Sequence, residues 1–239
     1  MKFCIVGGGT TGWWAAKALE VNFPKAEITL VESPNVPIIG VGESTLPQIG
    51  AFLSDLGIPE DKWMDKANAI YKYGNVKVGW DGKKEPFEFT FWNNIDGRFD
   101  SWVKKYFQVK KTKYDHVELY DKKEYRSVAY HLDAEKAGDV VKQECINVKH
   151  IVKHIDTIND LPLADLYLDC TGFKQLICKD KTRSNLSKHH KVNKAIVQRF
   201  EKKEEWNCTY SVACKYGWQF WIDLQDRVGT GYVYDSGLI

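Results

Sequence analysis

The sequence contains no apolar stretch long enough to cross a bilayer, which takes about 20 consecutive residues. Its opening apolar run, residues 3–6, is too short for the core of a signal peptide. No membrane association is expected, and the expected location is cytoplasmic. An excess of one charge is lacking too: 34 Lys and Arg face 32 Asp and Glu, a net +2. Bulk electrostatics then select no acidic partner. There is no Cys-x-x-Cys pair. The six cysteines, at 4, 145, 170, 178, 208 and 214, read as reduced packing residues and not as a disulfide framework, although Cys170 and Cys178 could meet across a turn. Internal repeats and low-complexity segments are absent. What remains is 239 residues with 44% hydrophobic and 28% charged side chains, enough for a substantial core.

Four segments follow from the pattern. Residues 1–72 open with a β-branched run, a glycine turn, a helical pattern and a second strand, AEITLVES, which makes a βαβ unit. A loop of turn formers at 34–47 follows. A helical rhythm then covers 48–70, broken at Gly-Ile-Pro, with Pro59 suited to a first helical turn. Residues 73–130 are mixed, aromatic and rich in lysine. Residues 131–191 hold two strand patterns, INVKHIVKHI and ADLYLDC, with turn formers between them. Residues 192–239 read as strands again. The charged run at 199–205 reads as a solvated turn or helix face.

Gly7, Gly9 and Gly12 form G-x-G-x-x-G between a strand and a helix. The first glycine permits the tight turn, the second lets backbone approach a pyrophosphate, and the third lets helix pack on strand. The free N–H groups of the helix start face the phosphate charge. Glu32 closes the second strand 20 residues after Gly12, where a carboxylate accepts from ribose hydroxyls. The competing reading is a tight turn without a ligand. An acid here disfavours a 2′-phosphate but leaves NAD and FAD both open.

Two patterns point elsewhere. His150 and His154, with Asp156 near, could share a face and bind metal, but surface histidines on a strand are the simpler reading, and no metal is expected. His189 and His190 look solvated. Lysines 104, 105, 110, 111 and 113 interleave with Trp102, Tyr106, Phe107 and Tyr114. Basic residues and stacking rings can hold nucleic acid. Asp115, Glu118 and Asp121 follow closely, so no nucleic-acid partner is expected.

The loop IIGVGESTLPQIGAFLSDLGIPEDKWM resembles the flavin-dependent halogenases, the family that includes the tryptophan halogenases. NAIYKYGNVKVGW, YHLDAEKAGD, ADLYLDCTGF, VNKAIV and YSVACKYGWQFWIDLQDRVGTGYVYDS resemble further blocks, in the family's order. The resemblance implies an α/β fold: a Rossmann-like FAD-binding core of the flavin monooxygenase type with a mixed or antiparallel sheet layer. It implies FAD bound by Gly7, Gly9, Gly12, Glu32, Gly40, Gly42, Ser44 and Thr45, with Asp169 and Gly172 in the FAD-domain block ADLYLDCTGF; the family's second FAD signature, with its Gly-Asp, is among the later blocks that have no counterpart here. It also implies a separate reductase supplying reduced FAD, oxygen and halide as co-substrates, and an aromatic substrate such as tryptophan or indole. Lys72 matches the family's catalytic lysine, which holds hypohalous acid or forms a haloamine. A solvent-facing lysine is the plain alternative, but Ile70, Tyr71 and Tyr73 flank it.

The family's W-x-W-x-I-P motif reads here as Trp218, Phe220, Ile222 and Asp223. On a strand the first three share a face, and Trp221 points the other way. The resemblance implies that this face is a barrier between flavin and substrate. A sandwich-core strand is the alternative. The resemblance covers only the N-terminal half of a family member. The later blocks, with a halide loop and a glutamate partner for the lysine, have no counterpart before Ile239. The expectation is a partial halogenase domain over 1–239 that does not halogenate alone. It would associate as a homo-oligomer or take up a second chain that supplies the other half. The rival is a truncated, non-catalytic FAD-binding protein.

Overall fold

The computed structural model describes residues 1–37, 40–82, 86–91, 128–178, 186–202 and 207–238. The lysine-rich aromatic stretch at 102–121 lies outside the described residues, as do 203–205 of the charged run. In chain order come β1 (Lys2–Val6), α1 (Thr10–Asn22), β2 (Glu27–Glu32), β3 (Glu43–Ser44), α2 (Gln48–Asp55) and α3 (Glu60–Trp63). Next are β4 (Ile70–Lys72), β5 (Gly74–Val78), β6 (Phe87–Thr90), β7 (Ala129–Leu132) and α4 (Ala134–Glu144). The rest holds β8 (Val148–Val152), β9 (Leu166–Asp169), β10 (Lys194–Glu201), β11 (Cys208–Cys214), β12 (Gly217–Asp223) and β13 (Arg227–Tyr234).

These elements divide into two units that interleave along the chain. Met1–Gly40, Leu53–Ala67 and Asp133–His189 form the first; Val41–Phe52, Asn68–Leu132 and His190–Ile239 form the second. A linear division at 72, 130 and 191 does not follow these lines. Strand pairing decides membership: β3 and β4 both pair with β7, far away in sequence, and so join the second unit.

The first unit is a parallel sheet in the order β8-β2-β1-β9. Alternation sends successive β1 side chains to opposite faces. Phe3 and Ile5 pack with Ile28, Leu30, Trp13 and Ala16 on the α1 side. Cys4 and Val6 pack with Val31, Ile155 and Leu176 on the other. Both faces are covered, so the strand reads as an unbroken apolar run. Burying each such aliphatic chain contributes about 1.5–3 kcal/mol. The second unit holds a mixed six-stranded sheet, β10-β13-β12-β11-β5-β6, and a three-stranded antiparallel sheet, β3-β7-β4. The expected α/β class with a parallel core and mixed sheets is what the chain adopts.

Two local readings change. The helical rhythm over 48–70 resolves into two short helices, and Ile70–Lys72 is a strand. Gly57 (φ 78) and Asn68 (φ 54) take left-handed backbone, and Pro59 is the residue before α3 rather than in its first turn. Pairing of Ile70, Tyr71 and Lys72 with His131, Tyr130 and Ala129 outweighs the local periodicity. Arg199–Glu201 belong to β10, whose residues all pair with β13 and are all exposed.

Candidate functional site

In the first unit, Gly7, Gly9 and Gly12 join β1 to α1. Gly7 has φ 112, and a Cβ there would run into the Cys170 carbonyl. A Cβ on Gly12 would run into the Gly7 carbonyl oxygen. Both glycines are therefore required by the fold itself. Gly9 differs: a Cβ there would meet nothing within 4 Å. It is the residue before α1, and no side chain caps that helix. Thr10, which could have competed for the role, gives its hydroxyl to the Ala134 carbonyl at 2.7 Å. The helix start thus keeps N–H groups for an anion, beside open space at Gly9.

Glu32 ends β2 as expected. Its Oε2 lies 2.7 Å from His150 Nε2 and 3.5 Å from Lys142 Nζ. His150 and Lys142 also meet the Trp13 ring, with separations of 5.0 Å each. The metal reading of His150 gives way to this arrangement, because His154 turns to Ser33 Oγ at 2.7 Å instead. No metal-binding cluster of His, Cys, Asp or Glu occurs among the described residues. Gly40 lies 3.9 Å, at its would-be Cβ, from Ala134 Cβ. Asp169 organises its own loop: Oδ1 accepts from Thr171 N–H and hydroxyl, and Oδ2 from the N–H groups of Ile177 and Cys178. Desolvation raises its pKa, but those hydrogen bonds outweigh it and hold the carboxyl below its ordinary value. Gly172 takes the left-handed backbone that this turn needs, with φ 59.

The second unit gathers Gly42, Ser44, Thr45, Lys72, Trp218, Phe220 and Ile222. Lys72 is 3% exposed. Its Nζ donates to the Thr45 carbonyl at 2.9 Å and lies 4.8 Å from the Phe91 ring centre. Burial pushes its pKa down to about 8; Cys208 opposes the shift and Lys77 adds to it. Thr45 is clamped by Tyr130 through three contacts of 2.9 Å, so the lysine's acceptor is itself fixed.

Trp218 and Phe220 share a face, with ring centres 5.9 Å apart. The Phe220 ring lies over Gly231, where a Cβ would come within 2.5 Å of it. Ile222 is buried, and Gly42 (φ 107) approaches it so closely that a Cβ would stand 3.3 Å from its Cγ2. Trp221 turns to the opposite face and stacks on Phe200 at 6.3 Å. Asp223, at the motif's proline position, is fully buried and paired with Lys202 at 3.2 Å.

Sequence reasoning missed three contributors. Trp80 extends the ring wall at 6.1 Å from Trp218, its Nε1 donating to the Ser211 carbonyl at 2.9 Å. His131 and Thr209 are buried beneath Ser44 and bond each other at 2.8 Å. Trp80 carried a signal, being the aromatic that closes NVKVGW. His131 lay inside YHLDAEKAGD, where its neighbours gave no hint of its partners.

A sequence profile of the tryptophan halogenase family matches residues 2–239. The tryptophan 7-halogenase RebH of Lentzea aerocolonigenes is 30% identical, covering 98% of this chain and 56% of its own. The tryptophan 7-halogenase KtzQ of Kutzneria sp. (strain 744) is 28% identical over 97% of this chain and 55% of its own. Among solved structures, Xcc4156, a flavin-dependent halogenase from Xanthomonas campestris, matches with a TM-score of 0.82 at 26% identity, over 99% of this chain and 56% of that one. The chain thus spans about half the length of the curated relatives it matches. Glycine loop, buried lysine strand and aromatic strand all fall within the one profile match, and the chain belongs to the tryptophan halogenase family.

Proposed function

We propose that this chain serves flavin-dependent halogenation of a flat aromatic substrate such as tryptophan or indole, with Lys72 as the catalytic residue. The observation that carries the reading is the burial of Lys72 against a fixed carbonyl, with an amine tuned toward neutral pH. FAD fits the first unit: the uncapped start of α1 and the open space at Gly9 suit a pyrophosphate, and Glu32 suits a ribose. Reduced FAD, with oxygen and halide, supplies hypohalous acid. The reading takes that FAD from a separate flavin reductase in the cytoplasm, and it requires no metal.

With a pKa of about 8, Lys72 is mainly ammonium at pH 7, and about a tenth is free amine. The ammonium donates an N–H to the oxygen of hypohalous acid and orients its halogen. The amine instead attacks the halogen: an N–halogen bond forms, the halogen–oxygen bond breaks, and the departing hydroxide takes the amine's proton as water. Thr45 fixes the nitrogen in either role, and Phe91 screens it from water. Trp218, Phe220 and Ile222 form an apolar wall that offers a flat ring stacking surface and no competing nucleophile.

The test is Lys72→Ala with a flavin reductase, FAD, oxygen and chloride or bromide, scored by mass spectrometry against a panel of tryptophan, indole and phenol. Whatever halogenated product the wild type forms, alone or with a second chain supplying the family's later blocks, should vanish in the variant while reduced flavin is still consumed. Product formed by the alanine variant would refute the role of Lys72.

A further inference from the structure

The two carboxylate oxygens of Glu32 stand in different situations. Oε2 is held twice, by His150 Nε2 at 2.7 Å and by Lys142 Nζ at 3.5 Å. A carboxylate only accepts, so Nε2 carries a ring hydrogen in that contact. Oε1 has no protein partner among the described residues. It lies over Gly8, where a Cβ would stand 2.6 Å from it and run into the carboxyl carbon. Gly8 does not take left-handed backbone, so a side chain there would disturb the carboxyl and not the main chain.

The two donors are themselves held. His150 is the register partner of Leu30, which puts it on the same side of the sheet as Leu30 and Glu32. Leu30 packs there with Trp13 of α1. The His150 ring meets Trp13 edge-on, with centres 5.0 Å apart and planes at 74°. Lys142, from α4, lies 5.0 Å from the centre of the same ring. Trp13 is 4% exposed, so both donors rest on a plate that packing keeps in place. All of these residues belong to the first unit.

We propose that His150 and Lys142 are positioning residues for ribose recognition: by tying Oε2 back against the Trp13 plate, they hold Glu32 Oε1 as the acceptor for a ribose hydroxyl in the adenosine half of FAD. This rests on the flavin reading above and adds what prepares the acid for its ligand. A loose glutamate gives up its rotamers when ligand binds; this one gives them up on folding. Oε1 stays beside Gly8, one residue before the open space at Gly9. A bare carboxylate so close would repel a pyrophosphate, and the Lys142 ammonium offsets that charge.

The test uses ADP, which carries the adenosine and pyrophosphate alone, against 2′,3′-dideoxy-ADP, which lacks both ribose hydroxyls. Calorimetry on the whole flavin-free chain gives the ratio of the two affinities. Long-range attraction of phosphate acts on both ligands and cancels in that ratio. Wild type should favour ADP by about tenfold or more, the worth of a hydrogen bond to a charged acceptor. Glu32→Ala should bring the ratio near one. His150→Ala and Lys142→Met should each lower it by about threefold or more, through the freed rotamers of Glu32. His150→Gln, whose amide N–H can donate to Oε2, should restore most of it. Gly8→Ala, which pushes the carboxyl aside, should lower it too. The Lys142 side chain is 38% exposed, so its methionine variant keeps the comparison usable if His150→Ala does not fold. An unchanged ratio in His150→Ala and Lys142→Met overturns the proposal, and so does a ratio as low in His150→Gln as in His150→Ala, which marks a packing role. Equal binding of the two nucleotides by wild type overturns the ribose contact itself. Failure of wild type to bind ADP and FAD alike overturns the flavin reading.

Discussion

Lys72 holds its proton less tightly in the folded chain than in the unfolded one, and stability must record the difference. The folded value is about 8 against an ordinary 10.5. Between these values the unfolded chain binds more protons, so stability rises with pH across that window. At about 1.4 kcal/mol per pH unit, the burden of the buried charge below pH 8 is about 3 kcal/mol. Lys72→Met should therefore be more stable than wild type below pH 8, and the advantage should fade toward pH 10.5. Urea unfolding of both proteins at half-unit steps measures it; two parallel stability curves would show that the lysine is not desolvated as described. At this scale the sequence was half legible. Lys72 stood out through its match to the family's lysine, with apolar neighbours in support. His131 did not, because its partners Thr209 and Asp223 are 78 and 92 residues away and nothing local signals a buried polar junction.

Among the elements, the turn from β1 to α1 separates two duties that one glycine motif usually blurs. Gly12 serves packing, since a Cβ there meets the Gly7 carbonyl oxygen; Gly9 meets nothing. Gly12→Ala should cost about 2 kcal/mol or more of stability, and FAD binding with it. Gly9→Ala should cost about 1 kcal/mol or less, the ordinary price of alanine before a helix, yet lower FAD affinity at least about tenfold, because the methyl fills the space a pyrophosphate needs. Thermal unfolding run beside FAD titration separates the two; equal losses of stability would contradict the open space at Gly9. This turn was fully legible, since strand, glycines and helix are contiguous. The 70–72 strand was not, because β7 supplies its pairing from the far side of a long intervening segment.

For the whole molecule, ligand binding to the native state alone raises stability by about 2.7 kcal/mol at a hundredfold excess over Kd. FAD should raise the melting temperature of this chain, and NAD should leave it unchanged. A shift with NAD in place of FAD would reassign the cradle. The family and the α/β class were legible at this scale because several blocks recur in order along the chain. The interleaving of the units was not, since no composition break marks the crossings near 40, 52, 67, 132 and 189. That interleaving bears on how the chain is made. The neighbour of β1 on one side, β2, leaves the ribosome soon after it, but β9 on its other side pairs Phe3 with Leu166 and emerges much later. Until then β1 presents a bare apolar edge in a growing polypeptide, and closing so long a loop is slow. Synthesis is therefore the interval in which the half-paired β1 leaves the growing chain most open to aggregation.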